Sequence, residues 1–221
     1  MTSQPFTYDP NAFKPRGDLI ANAVRESILR GTFRPGDKLD QQEIADHFKV
    51  SRIPVREALR TLDAEGMVTM IPNRGAVVAE RTKEELEELY FIRGVLEGAA
   101  VERAVPVMTG ETFDQLASFI TQARDTDDFE ALLVLNNDFH IAMYTAYPQP
   151  ILVNTIQQMR NVVAPYNRLY LDHAGNKEAA WADHQEIFDA CRAGDAREAR
   201  LATERHLEQV IKSIVSGINK D

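Results

Sequence analysis

An amide and an imidazole interrupt an otherwise apolar helical stripe in the segment 132–144, LLVLNNDFHIAMY. The apolar residues of this segment recur at helical spacing, which predicts that they face a core. Asn136 and His140 are four residues apart on the same stripe, so both side chains are expected to point inward. A buried polar group without a partner costs roughly 1–3 kcal/mol. Both side chains therefore require partners from elsewhere in the chain.

Two further histidines are expected to point inward from other helices. His184 shares one helical face with Trp181, and His206 shares another with Val210. Three imidazoles and the oxygen of Asn136 would suit a divalent metal ion, with zinc as the first choice and nickel or manganese as alternatives. The alternative is that each histidine is an ordinary core residue with its own hydrogen bonds. The spacing alone leaves both interpretations open.

A row of arginines forms a second group with possible chemistry. Arg52, Arg56 and Arg60 recur every four residues, on a side of their helix distinct from its apolar stripe. Arginines near the start of a helix can contact guanine in the major groove or pair with phosphates. The alternative is a solvated face held by ion pairs, but only Glu57 lies among them. The row therefore predicts a DNA-recognition surface.

The elements around these arginines predict a winged helix-turn-helix. Ser51 is suited to cap the arginine-bearing helix, and a shorter helix precedes it across a tight turn. Two short strands follow, and the loop between them carries Arg74 and Gly75 at its tip, as in a wing that contacts the minor groove. The predicted helices are 17–30, 41–48 and 51–65, and the predicted strands are 67–71 and 76–79.

The rest of the chain shows helical patterns without a strand pattern or a glycine-rich phosphate loop. Thr82, Asp127 and Asp195 each precede a glutamate by three residues, as in a capping box, and Thr109 is a further possible N-cap. An all-α bundle of six helices is expected. Their predicted ranges are 83–105, 110–124, 127–146, 150–171, 177–193 and 195–218.

Charge supports a division into two domains. The 221 residues carry a net charge of −9, but residues 1–80 are neutral and the whole excess falls on residues 81–221. We expect a flexible arm at 1–14, a DNA-binding domain at 15–80 and an effector-binding and dimerisation domain at 81–221. No apolar run is long enough for a membrane helix, and no secretory signal is recognisable. The single Cys191 could add a metal ligand, is more typical of a core, and fits a reducing cytoplasm.

The run 51–68, SRIPVREALRTLDAEGMV, with RPGDKL before it and PNRGAVV after it, resembles the DNA-binding domain of the GntR family. The resemblance covers about residues 15–80. It implies that Arg52 and Arg56 are the main DNA-contacting arginines and that Gly75 is the wing-tip residue. Many members of the family carry an arginine in the first helix of the motif, where this chain has Gln42.

The second part resembles the FCD effector domain of the FadR-like branch, and six helices suit its VanR-type subgroup. The similar strings are YFIRGVLEGAAVERA (90–104), NNDFHIAM (136–143), HQEIFDACRAGDAREA (184–199) and HL (206–207). Metal-binding members of that family use an acidic residue and three histidines, which correspond here to Asn136, His140, His184 and His206. Asn136 departs from the pattern because it is neutral, and it is expected to be a weaker fourth ligand.

In that family, small organic acids bind beside the metal and contact arginines. The resemblance implies this role for Arg93, with Arg160 and Tyr166 as weaker candidates, although Arg93 could instead form an ion pair with Glu97 four residues on. The chain is thus expected to be a cytoplasmic, homodimeric, ligand-responsive regulator, a repressor, that binds double-stranded operator DNA. The alternatives are a metal-dependent enzyme acting on a small acid and a regulator whose metal is purely structural.

Overall fold

The structure, a computed structural model, describes residues 16–72, 75–171 and 176–218. The chain divides into two compact units, Met1–Ala79 and Glu80–Asp221. In its described residues the first unit combines helices with a small sheet, whereas the second consists of helices alone. This confirms the predicted mainly-α fold, a winged helix-turn-helix followed by an all-helical domain. The expected arm at residues 1–14 lies outside the described residues.

A three-stranded antiparallel sheet accompanies the helices of the first unit. Its strands are ordered β1-β3-β2, with Val77 of β3 opposite both Lys38 and Thr69. The sequence did not predict β1, because the Pro-Gly pair of RPGDKL is typical of a turn. Gly36 does make that turn, at φ +83°, and the two residues after Asp37 extend along β3. The elements are α1 (Arg16–Leu29), β1 (Lys38–Leu39), α2 (Gln41–Phe48), α3 (Arg52–Ala64), β2 (Val68–Ile71) and β3 (Gly75–Val78).

Capping residues at both ends of α2 define where this helix begins and where it ends before α3. The Asp40 carboxylate accepts the backbone N–H groups of Gln42 at 2.7 Å and Glu43 at 3.2 Å, which caps α2. Lys49 adopts the left-handed conformation at φ +53° and ends that helix. Helix α3 then begins beyond Ser51 and buries the apolar face expected from the sequence, which consists of Val55, Ala58, Leu59 and Leu62.

Six helices form the described part of the second unit, close to the predicted ranges. Thr82 and Glu85 form the expected capping box, and Thr109 caps its helix. The expectation for Asp127 was wrong. Asp128 caps that helix instead, because its carboxylate reaches the N–H of Glu130 at 3.0 Å. The helices are α4 (Lys83–Ala104), α5 (Gly110–Asp125), α6 (Phe129–Thr145), α7 (Pro150–Leu171), α8 (Asn176–Arg192) and α9 (Ala196–Ile218), with a 3-10 turn at Val105–Val107.

Helices α4 and α9 pack closely against each other in the helical unit. A Cβ at Gly98 would lie 3.1 Å from Cγ of Arg200 and 3.0 Å from a carboxylate oxygen of Glu204, so glycine allows the two helices to approach. Helix α6 turns its apolar stripe inward, with Phe139 and Met143 fully buried. No helix in the described ranges is both long and apolar enough to cross a bilayer.

Candidate metal centre and DNA-recognition helix

Three histidines from three helices meet inside the helical unit. His140 of α6, His184 of α8 and His206 of α9 are all buried, with potential ligand nitrogens within 4.8 Å of one another. Zinc–nitrogen bonds are about 2.0–2.1 Å long, so only small ring movements would bring these nitrogens onto one ion. The structure thus brings together side chains that the sequence could only assign to inward faces.

Asn136 completes the cluster from one turn before His140. Its Oδ1 atom lies 3.0 Å from Nε2 of His184. Two atoms at this separation can be neighbours in the coordination sphere of one ion, since each would be about 2.1 Å from it. The donor set fits a divalent metal in its atom types, although all four donors are neutral.

Hydrogen bonds favour the tautomers that a metal would need at two of the histidines. Tyr144 donates its hydroxyl proton to Glu97 at 2.6 Å, so its oxygen can accept Nδ1–H of His140 at 3.1 Å. His206 can likewise donate Nδ1–H to Asp183, also at 3.1 Å. The Nε2 atoms of His140 and His206 then keep their lone pairs. Carboxylate and hydroxyl partners of this kind commonly orient histidine ligands of metals.

Burial lowers the pKa of His140 well below its usual range, and the positive charge of Arg160 and the neighbouring histidines add to the effect. His140 is therefore neutral near pH 7, which is the form that can bind a metal. Cys191 is not part of the cluster. It is buried beside Met143, with its pKa raised to about 12 by burial, which fits a core role.

A buried ion-pair network adjoins the histidines. Arg93 donates to one oxygen of Glu97 at 2.7 Å, and Arg160 donates to the other at 3.1 Å. Burial alone would raise the pKa of Glu97, but the charges of the two arginines outweigh it and hold that pKa below the usual range. Two arginines against one carboxylate leave an excess of positive charge. Nε of Arg160 is buried without a hydrogen-bond partner among the described residues.

The histidines and the arginines line the same narrow cavity of about 30 Å³. Arg93 pairs with Glu97 and also lines the cavity, and its role as a contact for an organic acid stays a prediction. Tyr166 is not among the lining residues, and its hydroxyl instead accepts the N–H of Arg81 at 2.6 Å. The lining residues are Tyr90, Arg93, Leu132, Leu133, Asn136, His140, Arg160, Asn167, Trp181, His184, His206, Leu207 and Val210.

Sequence reasoning missed three residues that support the cluster. Tyr144 follows His140 by four residues, so the helical period could have indicated it. Glu97 was considered only as a local partner of Arg93, yet it also binds Arg160, 63 residues away. Asp183 directly precedes His184 but contacts His206 instead, and nothing in the sequence indicates that contact.

In the first unit, the arginine row is exposed along α3. Arg52, Arg56 and Arg60 point to solvent, opposite the buried stripe of the helix. Ser51 occupies the N-cap position without a side-chain capping bond, so its exposed hydroxyl does not stabilise the helix as expected. Gly75 begins β3 at φ +98°, a conformation that favours glycine. Arg74 lies outside the described residues.

Two family models match the chain. The model described as bacterial regulatory proteins, gntR family, matches residues 17–78, and the model of the FCD domain matches residues 88–209. The transcriptional repressor RspR of Escherichia coli K12 is 27% identical over 210 residues, which cover 92% of this chain and 91% of RspR. The regulator McbR of the same organism is 30% identical over 208 residues, which cover 91% of this chain and 93% of McbR.

Solved structures have the same fold. E. coli McbR/YncC has a TM-score of 0.81 at 24% identity, and the alignment covers 92% of this chain and 99% of that one. A structure described as a transcriptional regulator GntR, from Rhodococcus sp. RHA1, has a TM-score of 0.80 at 25% identity and the same coverage. The gntR-family model and the regulators RspR and McbR identify the class of this protein, a DNA-binding transcription regulator. The chain belongs to the GntR family and carries an FCD domain.

Proposed function

We propose that this GntR regulator is a homodimeric repressor that releases its operator when a small carboxylate binds at a metal-containing site in the helical domain. The observation that carries the proposal is the cavity shared by three buried histidines and two buried arginines. The histidines offer ligands for a cation, and the arginines offer donors for an anion. One small molecule with a carboxylate could contact both groups.

His140, His184 and His206 would hold the metal through their ring nitrogens, with the Asn136 oxygen as a fourth ligand. The bound ion would supply a Lewis-acidic position for one carboxylate oxygen. Zinc is the first choice for this donor set, with nickel and manganese as alternatives. Because all four protein donors are neutral, they do not balance the charge of a divalent cation.

The charge balance of the cavity favours an anionic effector. Arg93 and Arg160 exceed Glu97 by one positive charge, and a divalent ion would add two more. The Asp183 carboxylate, which hydrogen-bonds to His206, offsets one of these positive charges. A bound carboxylate would reduce the remaining charge, so the metal and the acid should strengthen each other's binding. Such coupling is reciprocal by thermodynamic necessity.

DNA binding would use two copies of α3, presented to the two halves of a pseudo-palindromic operator. Arg52 and Arg56 would contact base edges, Arg60 would contact phosphates, and Gly75 would allow the wing to approach the backbone. RspR, a relative of this chain, is a transcriptional repressor, which supports repression rather than activation. Effector binding in the helical domain would then change the affinity for the operator.

The double substitution Arg52→Ala with Arg56→Ala should weaken operator binding at least about 100-fold. Each base contact contributes roughly 1–3 kcal/mol, and phosphate contacts add to that. The operator would be selected from a random DNA library with the wild-type protein, and affinity would be measured by fluorescence anisotropy. Arg192→Ala with Arg197→Ala, in the helical domain, is the charge-matched control. Unchanged operator affinity in the double variant would refute the DNA-contact assignment.

Asn136→Asp should tighten zinc binding about 10-fold or more, because a carboxylate brings charge to a neutral donor set. Affinity would be measured by competition with a chromophoric chelator. Asn137→Asp is the matched control, since it adds the same charge next along α6 at a position that does not line the cavity. If both variants change zinc affinity equally, Asn136 does not face the ion. If wild-type protein purified without chelator binds no stoichiometric metal, the metal proposal is wrong.

A purely structural metal is the second candidate function, favoured by the small volume of the cavity. The two are distinguished by removing the metal and screening organic acids by thermal shift. A structural ion would lower the melting temperature when removed, without changing the response of operator binding to acids. A sensing site would lose that response with the metal.

A further inference from the structure

A hydrogen bond between exposed side chains joins the recognition helix to the helix before it. Arg52 donates from Nε to Oε1 of Gln42 at 2.6 Å. Gln42 in turn donates from Nε2 to Asp46 at 2.8 Å. The two bonds orient the amide, since its oxygen must face the guanidinium and its nitrogen must face the carboxylate. Both ends of the Gln42 amide are therefore engaged within the protein.

The backbone of Gln42 is fixed as well. Its N–H is bound by the Asp40 carboxylate that caps α2, at 2.7 Å. Backbone hydrogen bonds from Gln42 and Glu43 lower the pKa of Asp40, so this cap is ionised near pH 7. Asp46 lies one turn further along the same helix and holds the other end of the side chain. Gln42 is thus anchored at its backbone and at its amide before any DNA is present.

This anchoring limits how Arg52 can present its guanidinium. A guanidinium has five N–H donors, and the contact with Gln42 uses the one on Nε. The two Nη groups remain available, and one N–H of each forms the end-on edge of the guanidinium. Within the described residues Arg56 and Arg60, in contrast, form no side-chain hydrogen bond or ion pair. Arg52 is therefore the preorganised member of the row.

We propose that Gln42 determines operator specificity by holding Arg52 so that its two Nη groups read one guanine end-on in the major groove. This inference rests on the proposed contact between Arg52 and DNA, and it adds that the reading unit consists of two residues. A free arginine can turn toward a phosphate or another base, whereas one fixed at Nε has fewer alternatives. In this proposal Gln42 acts through Arg52 rather than through a base contact of its own.

Gln42→Met keeps the length of the side chain and removes the acceptor for Arg52. Discrimination at the guanine would be measured by replacing each guanine of the selected half-site in turn. We expect the wild type to discriminate roughly 5- to 100-fold at the position that Arg52 reads, and Gln42→Met to reduce this to within about 3-fold. The dependence of affinity on salt should not weaken, because no phosphate contact is lost and the freed Arg52 can turn toward a phosphate. Gln42→Glu keeps an acceptor and should retain the discrimination.

Further variants separate this inference from the DNA-contact assignment. Gln122→Met, an exposed substitution in α5, controls for the chemistry of the exchange. Arg52→Ala should abolish discrimination at one guanine, and adding Gln42→Met to it should change that base preference no further. If Arg52→Ala leaves every base preference intact, the contact assigned to Arg52 is wrong. The role proposed for Gln42 is then wrong as well. If Arg52→Ala abolishes the preference but Gln42→Met does not, the role proposed for Gln42 alone is wrong.

Discussion

Replacing Glu97 with glutamine should lower the free energy of unfolding of the helical domain by about 3–5 kcal/mol. The Glu97 carboxylate is fully buried between Arg93 and Arg160, whose side chains are only 5% and 7% exposed. The substitution keeps the size of the side chain but leaves two buried cations without a counterion. Breaking a buried ion pair from one side has this magnitude because the remaining charge is still desolvated. Urea unfolding followed by circular dichroism would measure the difference.

Glu102→Gln is the matched control for this prediction. Glu102 lies on the same helix and pairs with Arg200 at 3.0 Å, but both side chains are about 40% exposed. A pair of this kind contributes about 0–1 kcal/mol. Equal losses in the two variants would show that Glu97 does not hold the network together.

The contribution of Glu97 to the free energy of unfolding should decrease in acid. Its folded pKa is lowered from an ordinary value of 4.5, so the carboxylate stabilises the fold fully above that pH. The stabilisation is lost as pH falls below 4.5 through the lower folded pKa. The difference in stability between wild type and Glu97→Gln should therefore be constant near pH 7 and shrink in acid.

His206→Ala should weaken zinc binding more than about 100-fold. The substitution removes one of three imidazoles and leaves too few strong donors for an ion in a buried site. Loss of a hydrogen-bond partner behind a histidine ligand typically costs 10- to 100-fold, and loss of the ligand itself should cost more. Asp183→Asn, which only weakens the support of His206, should fall between this variant and the wild type. Competition with a chelator of known affinity would measure all three.

His47→Ala is the control for the loss of an imidazole. His47 is exposed in the first unit, packs edge-on against Phe48 and is not one of the three clustered histidines. We expect its zinc affinity to equal that of the wild type. Zinc bound equally well by His206→Ala would mean that the three histidines are core residues and that any metal binds elsewhere.

The sequence predicted the histidine cluster better than its surroundings, and the reason is geometric. Helical periodicity assigns a residue to a face from its neighbours along the chain, so the inward faces of His140, His184 and His206 could be predicted separately. The family resemblance then implied that these faces meet. The boundaries of the helices could be predicted for the same local reason, since caps such as Thr82 act within one turn.

Contacts between distant parts of the chain could not be predicted in this way. Arg160 reaches Glu97 from another helix, and Tyr166 faces Arg81 rather than the cavity, because helix crossing angles decide which residues of an inward stripe meet. The strand β1 is only two residues long and is defined by its pairing with β3. Such an element has no periodic signal of its own.

The volume of the cavity has a consequence for how fast the regulator can respond. About 30 Å³ is the space of roughly two water molecules, far less than an organic acid of several carbons requires. An effector of the proposed class must therefore wait until the helices part, and the rate of capture is limited by that opening once the effector is abundant. Binding rates should level off with rising concentration, and release should be slow for the same reason. The regulator would then respond to a ligand that persists and not to one that is present only briefly.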